Sequence, residues 1–174
     1  MGLSALERPL ERRQSAALSP ARTVVLALGN DILGDDAVGF HCVRLLRDRR
    51  AGRPGVDLVE TGESGLAVLD LIEGYDRAVI LDAVVTRQVP PGTILEFSKA
   101  DFQRLRGSSP HVSGLPELLH VAERTGMKMP SVLAVLALEV ETPDTFGETL
   151  TPGCQASLPG FVRRCEELLA SWGH

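Results

Sequence analysis

The stretch that decides the fold is AVILDAVV, residues 78–85, which is apolar at every position except Asp82. A nearly continuous apolar run of this length, rich in β-branched residues, is typical of a parallel strand that is buried on both faces. The run VLAVLALEV, residues 132–140, has the same character. Both runs are therefore predicted to be central strands of a sheet that is covered by helices.

Shorter β-branched runs and amphipathic stretches alternate on either side of these two runs. Further strands are predicted at residues 24–28, 56–60 and 93–97, and helices at residues 37–49, 65–73, 115–125 and about 151–172. The turn Pro90-Pro91-Gly92 is short enough for a hairpin, so the fourth strand is predicted to be antiparallel and to lie at one edge. The pattern predicts an α/β fold with a twisted, mostly parallel five-stranded sheet, an antiparallel edge strand, and helices on both faces.

The two ends of the chain differ in character. Residues 1–22 mix acidic and basic residues where a signal peptide would need an apolar run, and we expect them to form a poorly ordered leader. Residues 23–174 show no shift in composition and are predicted to form a single domain. Thr151 followed by Pro152 is a good helix start, whereas Pro159-Gly160 should kink or restart the last helix.

Composition excludes several classes of function. The 18 Lys and Arg residues against 23 Asp and Glu residues give a net charge of −5, which disfavours nucleic acid as a partner. The apolar runs are far shorter than the ~20 residues of a membrane span, so no membrane insertion is expected. Cys42, Cys154 and Cys165 are odd in number and lack CxxC spacing, which favours small buried side chains in a reducing cytoplasm over disulfides or a thiolate zinc site.

Candidate functional residues lie where ligands bind in such sheets, beyond the carboxyl ends of the strands. The loop GNDILGDDAVG, residues 29–39, carries Asp35 and Asp36 at a predicted helix N-terminus, where one aspartate serves as a cap and leaves the other free to face the crevice. Asp82 in its apolar run needs a metal or a hydrogen-bonding partner. His111 follows Ser-Pro in a loop with glycines on both sides.

Each candidate also has a structural explanation. Asp82 could accept backbone N–H groups at the strand end, and His111 could be an exposed loop residue. Together, two carboxylates and one imidazole match the ligands of zinc, nickel and similar ions. The remaining histidines are assigned to the surface or to packing: His41, His120 and His174. GxSxG, P-loop, HExxH and GxGxxG motifs are all absent from the sequence, which removes the usual hydrolase, nucleotide-binding and zincin interpretations.

Four segments in this order resemble the NiFe-hydrogenase maturation endopeptidases. They are GNDILGDDAVG at residues 29–39, LDAV at 81–84, SPHVSGLPELL at 109–119 and LEVET at 138–142. The resemblance implies a twisted sheet flanked by helices on both faces. It also implies an endopeptidase that removes the C-terminal peptide from a hydrogenase large-subunit precursor after nickel has been inserted.

The resemblance assigns the family's metal-contacting positions to Asp36, Asp82 and His111. It implies that these residues contact nickel already held by the cysteines of the precursor, and that the protease has no tightly bound cofactor of its own. Such a Lewis acid could polarise the scissile carbonyl or activate water. Asp36 and Asp82 could each serve as a ligand or as a general base.

Two segments depart from the family pattern. The loop TGESG, residues 61–65, replaces the usual Gly-Thr and places an extra carboxylate, Glu63, near the crevice, while Ala137-Leu138-Glu139 lacks the usual glycine. Two alternative functions stay open on the sequence: a non-catalytic chaperone or binding module for a hydrogenase subunit, and a metallo-aminopeptidase with a resident metal. A cytoplasmic location is expected, and a monomer is favoured.

Overall fold

A computed structural model describes residues 21–49, 54–105, 109, 111–112, 114–142 and 146–174. In chain order, its strands and helices are β1 (Thr23–Leu28), α1 (Val38–Arg49), β2 (Val56–Thr61), α2 (Leu66–Ile72), β3 (Arg77–Val84), β4 (Ile94–Ser98), α3 (Leu115–Thr125), β5 (Val132–Glu139) and α4 (Pro152–Ser171). Short 3-10 helices, which the sequence did not predict, occupy Gly34–Ala37 and Lys99–Leu105.

The five strands form one sheet in the order β2-β1-β3-β5-β4. All neighbours are parallel except β4 and β5, which pair antiparallel. The predicted fold class and the edge position of the antiparallel strand are therefore confirmed. The central position of β3 and β5 is confirmed as well.

Two apolar layers cover the sheet, and the side chains of its central strands alternate between them. In β1, Val25 and Ala27 pack in the layer that contains α1 and α4, while Val24, Leu26 and Leu28 pack in the layer with α2 and α3. A strand with period-two alternation buries both sets only when helices cover both faces. The sheet is thus the middle layer of a three-layer fold, with helices on both faces. The crevice in which such folds bind ligands lies at the carboxyl ends of the strands.

The predicted hairpin between the third and fourth strands is wrong. β4 pairs with β5, for example Phe97 with Val135, and β5 lies between β3 and β4. The cause is burial: β5 is apolar on both faces and takes the interior position beside β3, whereas β4 is only half-buried and suits an edge. The segment around Pro90-Pro91-Gly92 is therefore a connection that passes β5 to reach the sheet edge, rather than a hairpin turn.

Helix α4 does not restart at Pro159-Gly160, so that half of the prediction is wrong, while the alternative of a kink stays a prediction. The helix is continuous over Pro152–Ser171 with Pro159 inside it. Proline removes the N–H that would bond the carbonyl of Gln155, but Gln155 and Pro159 both lie on the exposed face of the helix. Water can satisfy that carbonyl, so the interruption costs less there than it would in the core.

The three cysteines are buried, as predicted, and none forms a disulfide. Cys42 of α1 and Cys165 of α4 lie in the same apolar layer, and the contact with Cys165, together with burial, raises the pKa of the Cys42 thiol. Burial and the nearby Asp35 raise the pKa of Cys154. All three therefore have the environment of inert structural thiols.

The beginning of the domain is fixed at Arg22. Its backbone N–H donates to Asp76 (2.9 Å), and its guanidinium lies over the ring of Tyr75. Residues 1–20 of the expected leader lie outside the described residues. Among the helices of the described ranges, none has both the length and the apolar character that a membrane span requires.

Candidate active site

The loop that carries Asp36 begins at a glycine that no other residue could replace without strain. Gly29 follows β1 with φ +151°, and a Cβ built there would lie 2.2 Å from the backbone carbonyl oxygen of Asp36. The loop therefore folds back onto Gly29, and this close approach sets the height of Asp36 above the sheet. Asp36 itself lies in the 3-10 helix Gly34–Ala37, directly before α1.

Two sets of contacts hold this loop in place. Arg44 of α1 makes a bidentate ion pair with Asp31 in the loop (3.0 and 2.8 Å) and also bonds Glu60 at the end of β2. Gly34 donates its N–H to the carbonyl of Gly147, and Gly147 donates to the carbonyl of Ile32. The position of Asp36 thus depends on α1, β2 and the segment before α4.

Asp82 is placed by strand alternation. Val79, Leu81 and Ala83 of β3 face the layer with α1, so Asp82 faces the opposite layer, where the segment preceding α3 arrives. The residue is completely buried. One carboxylate oxygen accepts the hydroxyl of Ser109 (2.6 Å) and the other accepts the N–H of Ala83 (3.0 Å).

The electrostatics of Asp82 follow from this position. Burial raises the pKa of Asp82 to about 7, against the opposing effects of the His111 charge and the Ser109 hydrogen bond. The nearby Asp36 carboxylate contributes to this rise in the pKa. A second negative charge is therefore costly at this place, and a cation would relieve that cost.

His111 approaches from the segment before α3. Its Nε2 lies 3.6 Å from an oxygen of Asp36, and its side chain is only 10% exposed. The Asp36 carboxylate raises the pKa of His111 more than partial burial lowers it. Among the described residues its Nδ1 is buried without a hydrogen-bond partner of good geometry. The backbone of Glu63 lies close enough to raise the pKa a little further.

The three predicted residues converge at one place. One ligand atom from each of Asp36, Asp82 and His111 lies within 4.8 Å of the others, and all three residues sit at the carboxyl edge of the sheet. The donor set is two carboxylate oxygens and one imidazole nitrogen, which suits a divalent ion of borderline softness. The convergence is confirmed by the structure, and the roles of the three as ligands and catalytic groups stay predictions.

Asp35 has a different task from its neighbour. Both of its oxygens accept from Thr151, one from the backbone N–H (2.7 Å) and one from the hydroxyl (2.8 Å). Thr151 is the N-cap of α4, and its hydroxyl in turn accepts the N–H of Cys154. Asp35 therefore fixes the start of α4 instead of capping the helix that follows it in sequence.

Other residues contribute in ways that the sequence alone did not reveal. Glu139, at the end of β5, is buried and accepts three hydrogen bonds, from the N–H and hydroxyl of Thr86 and the N–H of Arg87. Ser109 bonds Asp82 and His111. The sequence held one signal for Ser109, which is that it lies two residues before His111. At this spacing a serine hydroxyl often accepts the backbone N–H of the later residue.

The other three histidines lie at the surface or in packing contacts, as predicted, and the extra carboxylate of Glu63 lies in the loop after β2. His120 is exposed on α3, His41 is half-buried on α1, and Nε2 of His174 bonds the hydroxyl of Thr23. Glu63 is exposed in the loop between β2 and α2, and Gly62 beside it packs near the carbonyl of Gly29. The loop after β2 therefore forms one rim of the crevice.

Comparison with known proteins identifies the family. The family model described as HycI, hydrogenase maturation protease, matches residues 40–167, which include Asp82 and His111. The chain is 28% identical over 153 residues to the hydrogenase expression/formation protein HoxM of Cupriavidus necator, covering 86% of this chain and 75% of that protein. It is 29% identical over 152 residues to the hydrogenase 2 maturation protease of Escherichia coli, covering 86% and 90%.

Solved structures of hydrogenase maturation proteases share the fold of this chain. The hydrogenase maturating endopeptidase HybD from E. coli superposes with a TM-score of 0.76 at 28% identity, covering 87% of this chain and 94% of that one. HybD from Thermococcus kodakarensis superposes with a TM-score of 0.65 at 26% identity, covering 84% and 98%. The protein is a peptidase with a mostly parallel α/β sheet. It belongs to the hydrogenase maturation protease family.

Proposed function

We propose that this protein cleaves the C-terminal peptide from a nickel-loaded large-subunit precursor of a NiFe-hydrogenase, and that Asp36, Asp82 and His111 contact the nickel carried by the precursor. The observation that carries the proposal is the convergence of these three residues within 4.8 Å in a protein of this family. Membership of a peptidase family disfavours a non-catalytic chaperone or binding module.

The charge balance of the crevice supports a cation as the bound species. Among the described residues, His111 and Asp36 are the charged groups that act on the buried Asp82, so two carboxylates face a single imidazole there. A divalent ion would replace unfavourable repulsion with attraction among these buried carboxylates. Two oxygens and one nitrogen without a thiolate bind nickel weakly, which favours a metal delivered by a cysteine-containing substrate over a metallo-aminopeptidase with a resident ion.

The rim of the crevice suits a protein substrate. Ile32 is 54% exposed and Phe146 is 80% exposed. The segments that carry them are joined by the hydrogen bonds of Gly147, beside the loop that holds Asp36. Apolar side chains that are exposed together at the edge of a site are a feature of protein interaction surfaces.

The chemistry follows from these positions. Nickel brought by the precursor would act as a Lewis acid on the scissile carbonyl or on the attacking water. His111 and the two carboxylates would contact the metal, and one of the carboxylates would also accept the proton of that water. We propose that the protein acts in the cytoplasm and as a monomer, since all three residues come from one chain and its cysteines suit a reducing compartment.

The test is a side-by-side cleavage assay with nickel-loaded and nickel-free precursor. We expect the wild-type protease to cut the loaded precursor and to leave the nickel-free form uncut, because the three residues alone supply no complete set of metal ligands. Mass spectrometry of the released peptide measures the reaction. Equal cleavage of both precursors would contradict the role of substrate nickel.

The thiols should take no part in cleavage. Cys42, Cys154 and Cys165 are all buried, and the pKa values of the Cys42 and Cys154 thiols are raised, so an alkylating agent should not react with the three thiols in the folded protein. We expect unchanged cleavage of loaded precursor by protease that has been alkylated and separated from excess reagent. Inhibition that disappears in one Cys→Ala variant would instead indicate a cysteine protease.

A further inference from the structure

One hydroxyl connects two of the three residues in the candidate active site. The Oγ of Ser109 donates to an oxygen of Asp82 (2.6 Å) and accepts the backbone N–H of His111 (3.1 Å). Ser109 is 6% exposed, and the Asp82 carboxyl that it contacts is completely buried. The hydroxyl therefore lies between strand β3 and the turn that presents the imidazole.

These two bonds constrain different degrees of freedom. A short hydrogen bond to Asp82 selects one orientation of its carboxylate. The bond from the N–H of residue 111 to the hydroxyl of residue 109 closes a local turn of the kind that serine and threonine form two residues before the donor. Because the same oxygen makes both bonds, the direction of the Asp82 carboxylate and the position of His111 depend on each other.

We propose that Ser109 is a positioning residue, whose hydroxyl holds Asp82 and His111 at the separation needed to contact the substrate's metal together. This inference rests on the proposed function of the site. Groups that orient metal ligands commonly control metal affinity and activity without touching the metal.

The structure offers a matched control. Thr86 donates its hydroxyl to the buried Glu139 carboxylate (2.7 Å), an interaction of the same chemistry outside the three-residue cluster. Thr86→Val removes that hydroxyl with little change in shape. If kcat falls merely because a hydroxyl–carboxylate bond is lost, it should fall in both Thr86→Val and Ser109→Ala. If Ser109 positions the site, kcat should fall only in Ser109→Ala.

The experiment measures kcat and KM for the nickel-loaded precursor below the melting temperature of every variant. We expect Ser109→Ala to lower kcat about 10-fold to 100-fold, as is typical for groups that orient metal ligands, with KM within about threefold because the precursor's docking surface is unchanged. Ser109→Thr, which keeps the hydroxyl, should restore most of kcat. Thr86→Val should keep a kcat near that of the wild type even if its melting temperature falls.

A kcat for Ser109→Ala within threefold of wild type would overturn the inference, as would equal losses in Ser109→Ala and Thr86→Val. If Ser109→Ala does not fold, Ser109→Cys replaces it, since a thiol is a weak donor of similar size, and a wild-type kcat there would also overturn it. If the wild-type protein cuts no loaded precursor, the proposed function fails separately. Titration with Ni²⁺ alone then decides: Ser109→Ala should bind about tenfold more weakly, and equal affinity would overturn the inference.

Discussion

Asp36→Asn should lower cleavage of the nickel-loaded precursor by about a hundredfold or more, whereas Asp35→Asn at the adjacent position should leave it within about threefold of wild type. Both aspartates are buried, but only Asp36 lies in the three-residue cluster. An amide binds metal far more weakly than a carboxylate, and the loss of one preorganised electrostatic contact at a reacting group commonly costs two to three orders of magnitude in rate.

The expected effect of Asp35→Asn is on stability instead. Both oxygens of Asp35 accept from Thr151 at the start of α4, and an asparagine can accept only through one of them. Loss of a hydrogen bond to a buried charged group costs about 1 to 3 kcal/mol, which should lower the melting temperature by several degrees. Thermal unfolding and cleavage of the two variants, measured together, separate the two roles. The reverse pattern, with cleavage lost in Asp35→Asn and kept in Asp36→Asn, would contradict the assignment of the site.

The sequence predicted the parts of this site that depend on local pattern. The apolar run around Asp82 identified a buried strand, and the position of parallel strand ends placed Asp82, Asp36 and His111 at one edge. Strand periodicity and the rule that ligands bind beyond the carboxyl ends of such sheets indicated this edge, and the family resemblance selected Asp36 rather than Asp35. The convergence of the three side chains confirmed this placement.

The parts that were missed depend on contacts between distant segments. The pairing of β4 with β5 was decided by competition for the buried position beside β3, which a short turn does not reveal. Thr151 is the partner of Asp35 although 116 positions separate them. Ser109 acquires its role only when the segment before α3 folds against β3. In each case the chemical type of the residue was visible in the sequence, but its partner was set by the tertiary fold.

Asp82→Asn should abolish cleavage and yet make the metal-free protein more stable at alkaline pH. Asp82 is fully buried, and its pKa is raised to about 7 in the folded protein from an ordinary value of 3.8. Below about pH 4 the carboxyl holds its proton in both the folded and unfolded states. Between pH 4 and 7 the unfolded chain loses the proton while the folded protein keeps it, so the free energy of unfolding falls as the pH rises.

Above pH 7 the folded protein carries the full cost of a buried negative charge, roughly 4 kcal/mol for a shift of about three pKa units. Asparagine has no proton to lose, so this cost is absent from the variant. A buried amide that lacks a partner has its own cost, but that cost does not change with pH. The difference in melting temperature between Asp82→Asn and wild type should therefore grow by about 5 °C or more between pH 5 and pH 8 in the presence of a chelator.

The control is Asp70→Asn on the exposed face of α2, which removes one carboxylate from the surface and lies outside the candidate site. The pH-dependent gain should be specific to Asp82→Asn. A melting-temperature difference that stays constant from pH 5 to pH 8 would mean that burial does not hold the proton on Asp82. Suppose that Asp82→Asn shows both the pH-dependent gain in melting temperature and the loss of cleavage. The buried carboxylate of Asp82 is then the common cause of the crevice's instability without metal and of its capacity to bind a cation.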